Sequence, residues 1–80
     1  MRIDVKMPDL SATEGSDILV RRWLVPEGAR VRRGEPLLEV ETDKATTEVE
    51  SVATGIVAEI LARPEAKVAV GDVIARIEVA

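Results

Sequence analysis

The chain contains no cysteine, no histidine, no phenylalanine and no tyrosine, and Trp23 is the one aromatic residue among its 80. Without cysteine there is no disulfide and no thiol nucleophile; without histidine the usual general base and the commonest metal ligand are missing. Catalysis by the chain unaided is therefore not expected. The hydrophobic fraction is 46%, so the core must be built from Val, Ile, Leu and Ala, a composition that favours short strands. No apolar run approaches membrane-spanning length, and "MRIDVKMPDL" lacks the continuous apolar stretch of a signal peptide. These absences describe a soluble, intracellular module with no membrane contact. At this length it forms one domain, residues 1–80, able to bury somewhat more than ~60% of its unfolded surface.

The net charge is -4, and it is unevenly spread. Arg21, Arg22, Arg30, Arg32 and Arg33 lie in one stretch, while Glu39, Glu41, Asp43, Glu48 and Glu50 crowd the next. A basic stretch invites nucleic acid, but the domain is acidic overall and lacks the aromatics on which single-stranded bases stack. No nucleic-acid partner is expected, and the arginines read as the wet face of two strands and a turn.

The acidic stretch "LLEVETDKATTEVES" is almost a palindrome about a centre between Lys44 and Ala45. Thr42 then faces Thr47, Glu41 faces Glu48, Val40 faces Val49 and Glu39 faces Glu50, the pairing of a tight antiparallel hairpin with Lys44 and Ala45 as its central turn residues. Lys-Ala is poor chemistry for such a turn, which favours Asn-Gly, Asp-Gly or Gly-X. Asp43 helps partly, since its side chain suits the first position of a type I turn. Glutamates directly opposite one another also repel, by a few tenths of a kcal/mol or more. Several local rules broken together mark a functional site; the alternative is a solvated lysine on an acidic hairpin.

Alternation of apolar and polar residues dominates the rest of the chain. "RIDVKM" puts Ile3, Val5 and Met7 on one face, "DILVRRWL" reads as a second strand, and a turn at "VPEGA" precedes a short extended piece at Val31. "PLLEVE" and "TEVES" are the hairpin arms; after a turn at Gly55 come "IVAEILA", a turn at Pro64, "KVAV", a turn at "GD" and "VIARIEV". Eight short strands with regular turns predict a flattened barrel or a sandwich of two sheets, with almost no helix.

An internal repeat supports two similar halves. A shift of 38 lays Ile18 on Ile56, Trp23 on Leu61 and Pro26 on Pro64; after a one-residue deletion a shift of 37 lays Val31 on Val68, Gly34 on Gly71, Leu37 on Ile74 and Val40 on Ile77. The counterpart of Lys44 would be position 81, so a quasi-two-fold should put the Lys44 turn at one end of the molecule and the chain end at the other.

Taken together, "MPDL", "VPEGARVRRGEPL", "ETDKATTEVE", "GIV" and "PEAKVAVGDVIARIE" resemble the lipoyl domain of the dihydrolipoyl acyltransferases of 2-oxo acid dehydrogenase complexes, over essentially the whole chain. The resemblance implies an all-β, flattened barrel-sandwich of two four-stranded antiparallel sheets related by a quasi-two-fold. It implies lipoic acid attached to the Lys44 ε-amine by a lipoate ligase or lipoyl transferase, with Asp43 and Ala45 as the turn flanks. Glu41, Gly28 and Gly55 occupy positions associated with correct modification, although the glycines could simply make turns. The dithiolane would provide the sulfur that the chain lacks. It would take an acyl group from a thiamine-diphosphate-dependent 2-oxo acid decarboxylase, pass it to coenzyme A in the acyltransferase core of the same chain, and be reoxidised by dihydrolipoyl dehydrogenase. The domain would be a non-catalytic carrier, raising the local concentration of the arm through its tether.

The loop "DLSATEGSD", residues 9–17, resembles the loop that contributes to decarboxylase recognition, but "GSDILV" is one residue longer than the usual pattern. Ala45 points to the pyruvate or acetoin type of complex. A cytoplasmic place in a bacterium, or the mitochondrial matrix of a eukaryote, would follow. Rival carriers fit less well: a biotinyl domain sets its lysine in Met-Lys-Met, the glycine-cleavage carrier is longer and partly helical, and an unmodified efflux-adaptor domain of the same fold would lose the Asp-Lys-Ala tip.

Overall fold

A computed structural model describes residues 1–9 and 18–79. Among these there are eight strands and no helix: β1 (Arg2–Lys6), β2 (Ile18–Trp23), β3 (Arg30–Val31), β4 (Pro36–Glu41), β5 (Thr46–Glu50), β6 (Gly55–Ile60), β7 (Lys67–Val68) and β8 (Val73–Glu78). They form two antiparallel four-stranded sheets, ordered β1-β8-β6-β3 and β5-β4-β2-β7. The expected all-β barrel-sandwich is the observed fold. Gly55 opens β6 instead of lying in the preceding turn.

The alternation read in the sequence becomes the core. Val5, Val20, Val40, Val57, Leu37, Leu38, Ile74 and Ile77 are all essentially inaccessible to solvent, with Met7 and Ile18 beside them. Burying a side chain of this size contributes about 1.5–3 kcal/mol. Trp23 packs on the margin of this core and donates its indole N–H to the Ala62 carbonyl at 2.6 Å, which satisfies its polar atom.

The two sheets are exchanged by the repeat. Mapping β1, β2, β3 and β4 onto β5, β6, β7 and β8 turns one strand order into the other, and the burial patterns of β1 and β5, and of β4 and β8, are identical. The shift from the second and fourth strands onto the sixth and eighth is 37 throughout, however. Val20 pairs with Val40 as Val57 pairs with Ile77, and Trp23 with Leu38 as Ile60 with Ala75. The matches made with a shift of 38 (Ile18 on Ile56, Trp23 on Leu61, Pro26 on Pro64) are thus one residue out. A one-residue slip reverses the faces, and it would have set buried Ile18 on exposed Ile56.

The turns explain the misreading. Ala29 N–H donates to Pro26 O at 3.2 Å, and Ala66 N–H donates to Arg63 O at 3.0 Å. Pro26 is therefore first in its turn and Pro64 second, so the shared letters Pro-Glu fall out of step. The third position needs a positive φ in both, supplied by Gly28 (φ 90) and by Glu65 (φ 74), the one non-glycine residue with positive φ among those described.

Gly55 answers a different need: a Cβ there would collide with the Glu78 carbonyl oxygen. The contact fixes the long-range geometry. Thr54, next to Gly55, accepts a hydrogen bond from Arg33 N–H at 3.0 Å, just upstream of β4, and Glu78 leads to Val79, whose N–H donates to Met1 O at 2.8 Å. Met1 and Val79 therefore lie by the start of β4, and the hairpin tip lies at its other end, about 20 Å away at ~3.3 Å per residue. The opposition of tip and chain ends expected from the repeat is present.

On the outer face of the first sheet, Arg76 bridges Asp4 at 3.1 Å and Glu59 at 2.8 Å. The Glu59 hydrogen bond, followed by that to Asp4, raises the guanidinium pKa. At the chain ends the Met1 ammonium, followed by Arg2, holds the Glu78 carboxyl below its ordinary value, so this contact stabilises above the normal glutamate range and is lost as pH falls through the depressed value.

Glu65→Gly should raise stability by about 0.5–1 kcal/mol, because relief of the left-handed conformation outweighs the added flexibility of the unfolded chain. Gly28→Ala, at the equivalent turn position, should lower it by about 1–2 kcal/mol. Urea unfolding of the two variants checks the pair.

Candidate functional site

The tip of the β4–β5 hairpin is closed by backbone and one hydroxyl. Thr42 N–H donates to Ala45 O at 2.9 Å, which leaves Asp43 and Lys44 as the two central residues. The strand register agrees: Glu41 faces Thr46, Val40 faces Thr47, Glu39 faces Glu48 and Leu38 faces Val49, with a bulge before Leu38. The turn is thus centred between Asp43 and Lys44, one residue earlier than the palindrome suggests, and every cross-strand partner moves by two.

A two-residue shift keeps every side chain on its face, so burial could not have chosen between the two registers. The tip chooses. Thr42 Oγ1 accepts from the N–H of Lys44 and of Ala45, each at 3.3 Å, and donates to Ala45 O at 3.1 Å. Those contacts require Thr42 in first place, the role that the sequence alone suggested for Asp43. Neither Asp43 nor Lys44 has a positive φ, so the tip does without the primed turn that hairpins prefer.

The corrected register also removes most of the expected repulsion. Glu41 faces Thr46 instead of Glu48 and lies 3.6 Å from Arg21. Glu39 does face Glu48, but Arg22 donates to it at 2.6 Å from β2. The arginines read as a wet face thus partly neutralise the hairpin, in pairs worth up to ~1 kcal/mol each. Lys44 is exposed, and among the described residues no hydrogen bond or ion pair engages its ammonium.

Of the residues singled out in the sequence, Lys44, Asp43, Ala45 and Glu41 come together at the tip. Gly28 and Gly55 do not. Gly28 N–H donates to Val57 O, beside the pairing of Arg30 with Ile56, and Gly55 abuts Glu78; both lie toward the chain ends. The loop 9–17 falls outside the described residues except for Asp9. Thr42, which the palindrome pairs with Thr47, is the residue that organises the turn. Its signal was a threonine two places before the lysine, where a hydroxyl can make a local turn.

Comparison with known proteins bears on the tip. The profile of the Biotin_lipoyl family, described as "Biotin-requiring enzyme", matches residues 3–77. The chain is 52% identical over 77 residues to the dihydrolipoyllysine-residue acetyltransferase component of the pyruvate dehydrogenase complex of Zymomonas mobilis, covering 94% of this chain and 17% of that protein. Against the corresponding component of Corynebacterium glutamicum it is 50% identical over 76 residues, covering 92% and 11%. The chain therefore spans a small part of these relatives. Among solved structures, the lipoyl domain of the 2-oxoglutarate dehydrogenase complex from Azotobacter vinelandii superposes with a TM-score of 0.75 at 32% identity, covering 95% of each chain.

The register predicts a specific coupling. A double-mutant cycle on Glu39→Gln and Glu48→Gln should give an interaction of about 0.2–1 kcal/mol, the size of a like-charge cross-strand pair. The same cycle on Glu41 and Glu48 should give about zero. Chemical denaturation of both cycles decides the register.

Proposed function

This chain belongs to the Biotin_lipoyl family, and from that premise we propose that it is a lipoyl carrier domain whose prosthetic group is held as an amide on Lys44 Nζ. One observation carries the reading: an exposed lysine stands at a closed hairpin tip, at the end of the molecule away from the chain ends. The site suits a covalent arm. The backbone beneath the lysine is tied down by the Thr42 hydroxyl, while the side chain extends into solvent.

Within the family, Asp43 and Ala45 as neighbours of the lysine favour lipoyl over biotinyl attachment. The names of the similar proteins point the same way. When attached, the dithiolane supplies the redox-active sulfurs absent from this chain. Attachment needs an activated lipoate, such as its adenylate, from a lipoate ligase or lipoyl transferase. Lys44 Nζ would form the C–N bond of the amide to the activated carboxyl carbon, the acyl C–O bond would break with AMP as leaving group, and the proton lost from nitrogen would pass to solvent.

The domain itself contributes no acid or base to acyl transfer. Its part is a rigid base for the arm and a surface for recognition. Glu41 and Asp43 would be read beside the lysine, whereas Gly28 and Gly55 would act through the turn and the strand contact that they permit. The partners would be a thiamine-diphosphate-dependent 2-oxo acid decarboxylase, the acyltransferase core of the parent chain and dihydrolipoyl dehydrogenase. Such a complex would work in the bacterial cytoplasm or the mitochondrial matrix. No helix among the described residues is long and apolar enough to cross a membrane.

With a lipoate ligase, ATP and lipoate, intact-mass measurement should show one added lipoyl group, lost in Lys44→Arg. Lys6, at the end of β1, and Lys67, in β7, should stay unmodified. Amidation removes one positive charge, so the product should run more acidic on a native gel than the parent of net charge -4. Modification persisting in Lys44→Arg, or unchanged mobility, would refute the assignment.

A further inference from the structure

Three polar contacts at the hairpin tip converge on one side chain. The Thr42 hydroxyl accepts from the N–H groups on both sides of the Lys44 carbonyl, those of Lys44 and Ala45, and donates to the carbonyl of Ala45. Thr42 N–H donates to the same carbonyl. These four contacts all run through one residue.

The turn needs such a device. It has no glycine and no positive φ at either central position, so it lacks the conformation by which two-residue loops match the twist of their strands. An unprimed turn splays its arms, and the Ala45 N–H finds its acceptor in the Thr42 side chain. Remove the hydroxyl and the N–H groups of Lys44 and Ala45 turn to water. The tip can then pivot about the Thr42–Ala45 bond, and the Lys44 Cα–Cβ direction is no longer fixed.

We infer that Thr42 is a positioning residue for modification: its hydroxyl sets the direction in which Lys44 is offered to the modifying enzyme. The inference rests on the reading of Lys44 as the attachment point. Access and direction are separable at this site, because Lys44 is exposed whether or not the turn is held. A small reagent in solution needs access alone. An enzyme that must bring Nζ to an activated acyl carbon in its own pocket needs direction as well, and a misplacement of about 1 Å can cost as much as 10²-fold in rate.

The experiment compares the wild-type domain with Thr42→Val, which keeps the branched shape without the hydroxyl, with Thr42→Ala as a second hydroxyl-free variant, and with Thr42→Ser, which restores it. Thermal melting confirms that each is folded. Two rates are then measured at Lys44 by peptide mass mapping: lipoylation by a lipoate ligase with ATP and lipoate, and acetylation by a water-soluble acetyl ester. Lipoylation kcat/KM should fall by about tenfold or more in Thr42→Val and Thr42→Ala and stay within about twofold in Thr42→Ser. Acetylation should be the same in all four.

Undiminished lipoylation of Thr42→Val would overturn the inference. So would a parallel loss of acetylation, since the hydroxyl would then govern access and not direction, and so would failure of Thr42→Ser to recover. A wild-type domain that the ligase leaves unmodified would instead sink the reading of Lys44 itself, and this inference with it.

Discussion

Neither half of this chain can bury its own aliphatic residues. Each sheet takes two strands from each half: β1 and β3 sit with β6 and β8, and β5 and β7 with β4 and β2. The core therefore exists only when the two halves interleave, and the position of the Lys44 turn follows. That turn is the covalent junction between the halves. Its quasi-symmetric counterpart is the place where Val79 meets Met1, where the same kind of backbone bond is made without a connecting turn. The Lys44 turn and the Met1–Val79 contact thus occupy equivalent sites at opposite ends of the fold.

The symmetry is one of backbone and burial, and charge breaks it. In the first sheet a single cation, Arg76, lies between Asp4 and Glu59. At the equivalent place in the second sheet stands Glu39, with Glu48 on one side and Arg22 on the other. Each trio sums to one negative charge, but in the first a cation stands between two carboxylates, whereas in the second two carboxylates face each other on the hairpin that carries the lysine, with the cation to one side. Exposed pairs of this kind do little for stability. The asymmetry instead gives the two outer faces, which share one backbone plan, different charge patterns.

Much of this was legible in the sequence because a half-buried strand writes its face as alternation. The eight strands, the absence of helix among the described residues, the hairpin and the opposed ends all follow from period-two patterning and turn residues. Two features were misread, and in both the letters agreed while the backbone did not. The repeated Pro-Glu suggested a shift of 38, but φ at Gly28 and Glu65 shows that the prolines hold different turn positions. The palindrome suggests a turn at Lys44 and Ala45, but alternation is blind to a two-residue slip, and the register is set by the Thr42 backbone and hydroxyl contacts to Ala45. Glu65 has no glycine to announce its positive φ. The gathering of Glu41 with Lys44, and the removal of Gly28 and Gly55 to the other end, required the strand pairing itself.

On the proposed reading, a lysine at one place in a closed turn is what a modifying enzyme recognises. Exchanging Asp43→Lys with Lys44→Asp keeps composition, net charge and an exposed lysine between the same arms, and moves the amine by one central position. Surface exchanges of this kind alter stability by about 1 kcal/mol or less. On this reading the exchanged domain should melt like the parent, and intact mass after incubation with lipoate ligase, ATP and lipoate should show it largely unmodified. Efficient lipoylation of the relocated lysine would contradict it, by showing that an accessible lysine among acidic residues is sufficient.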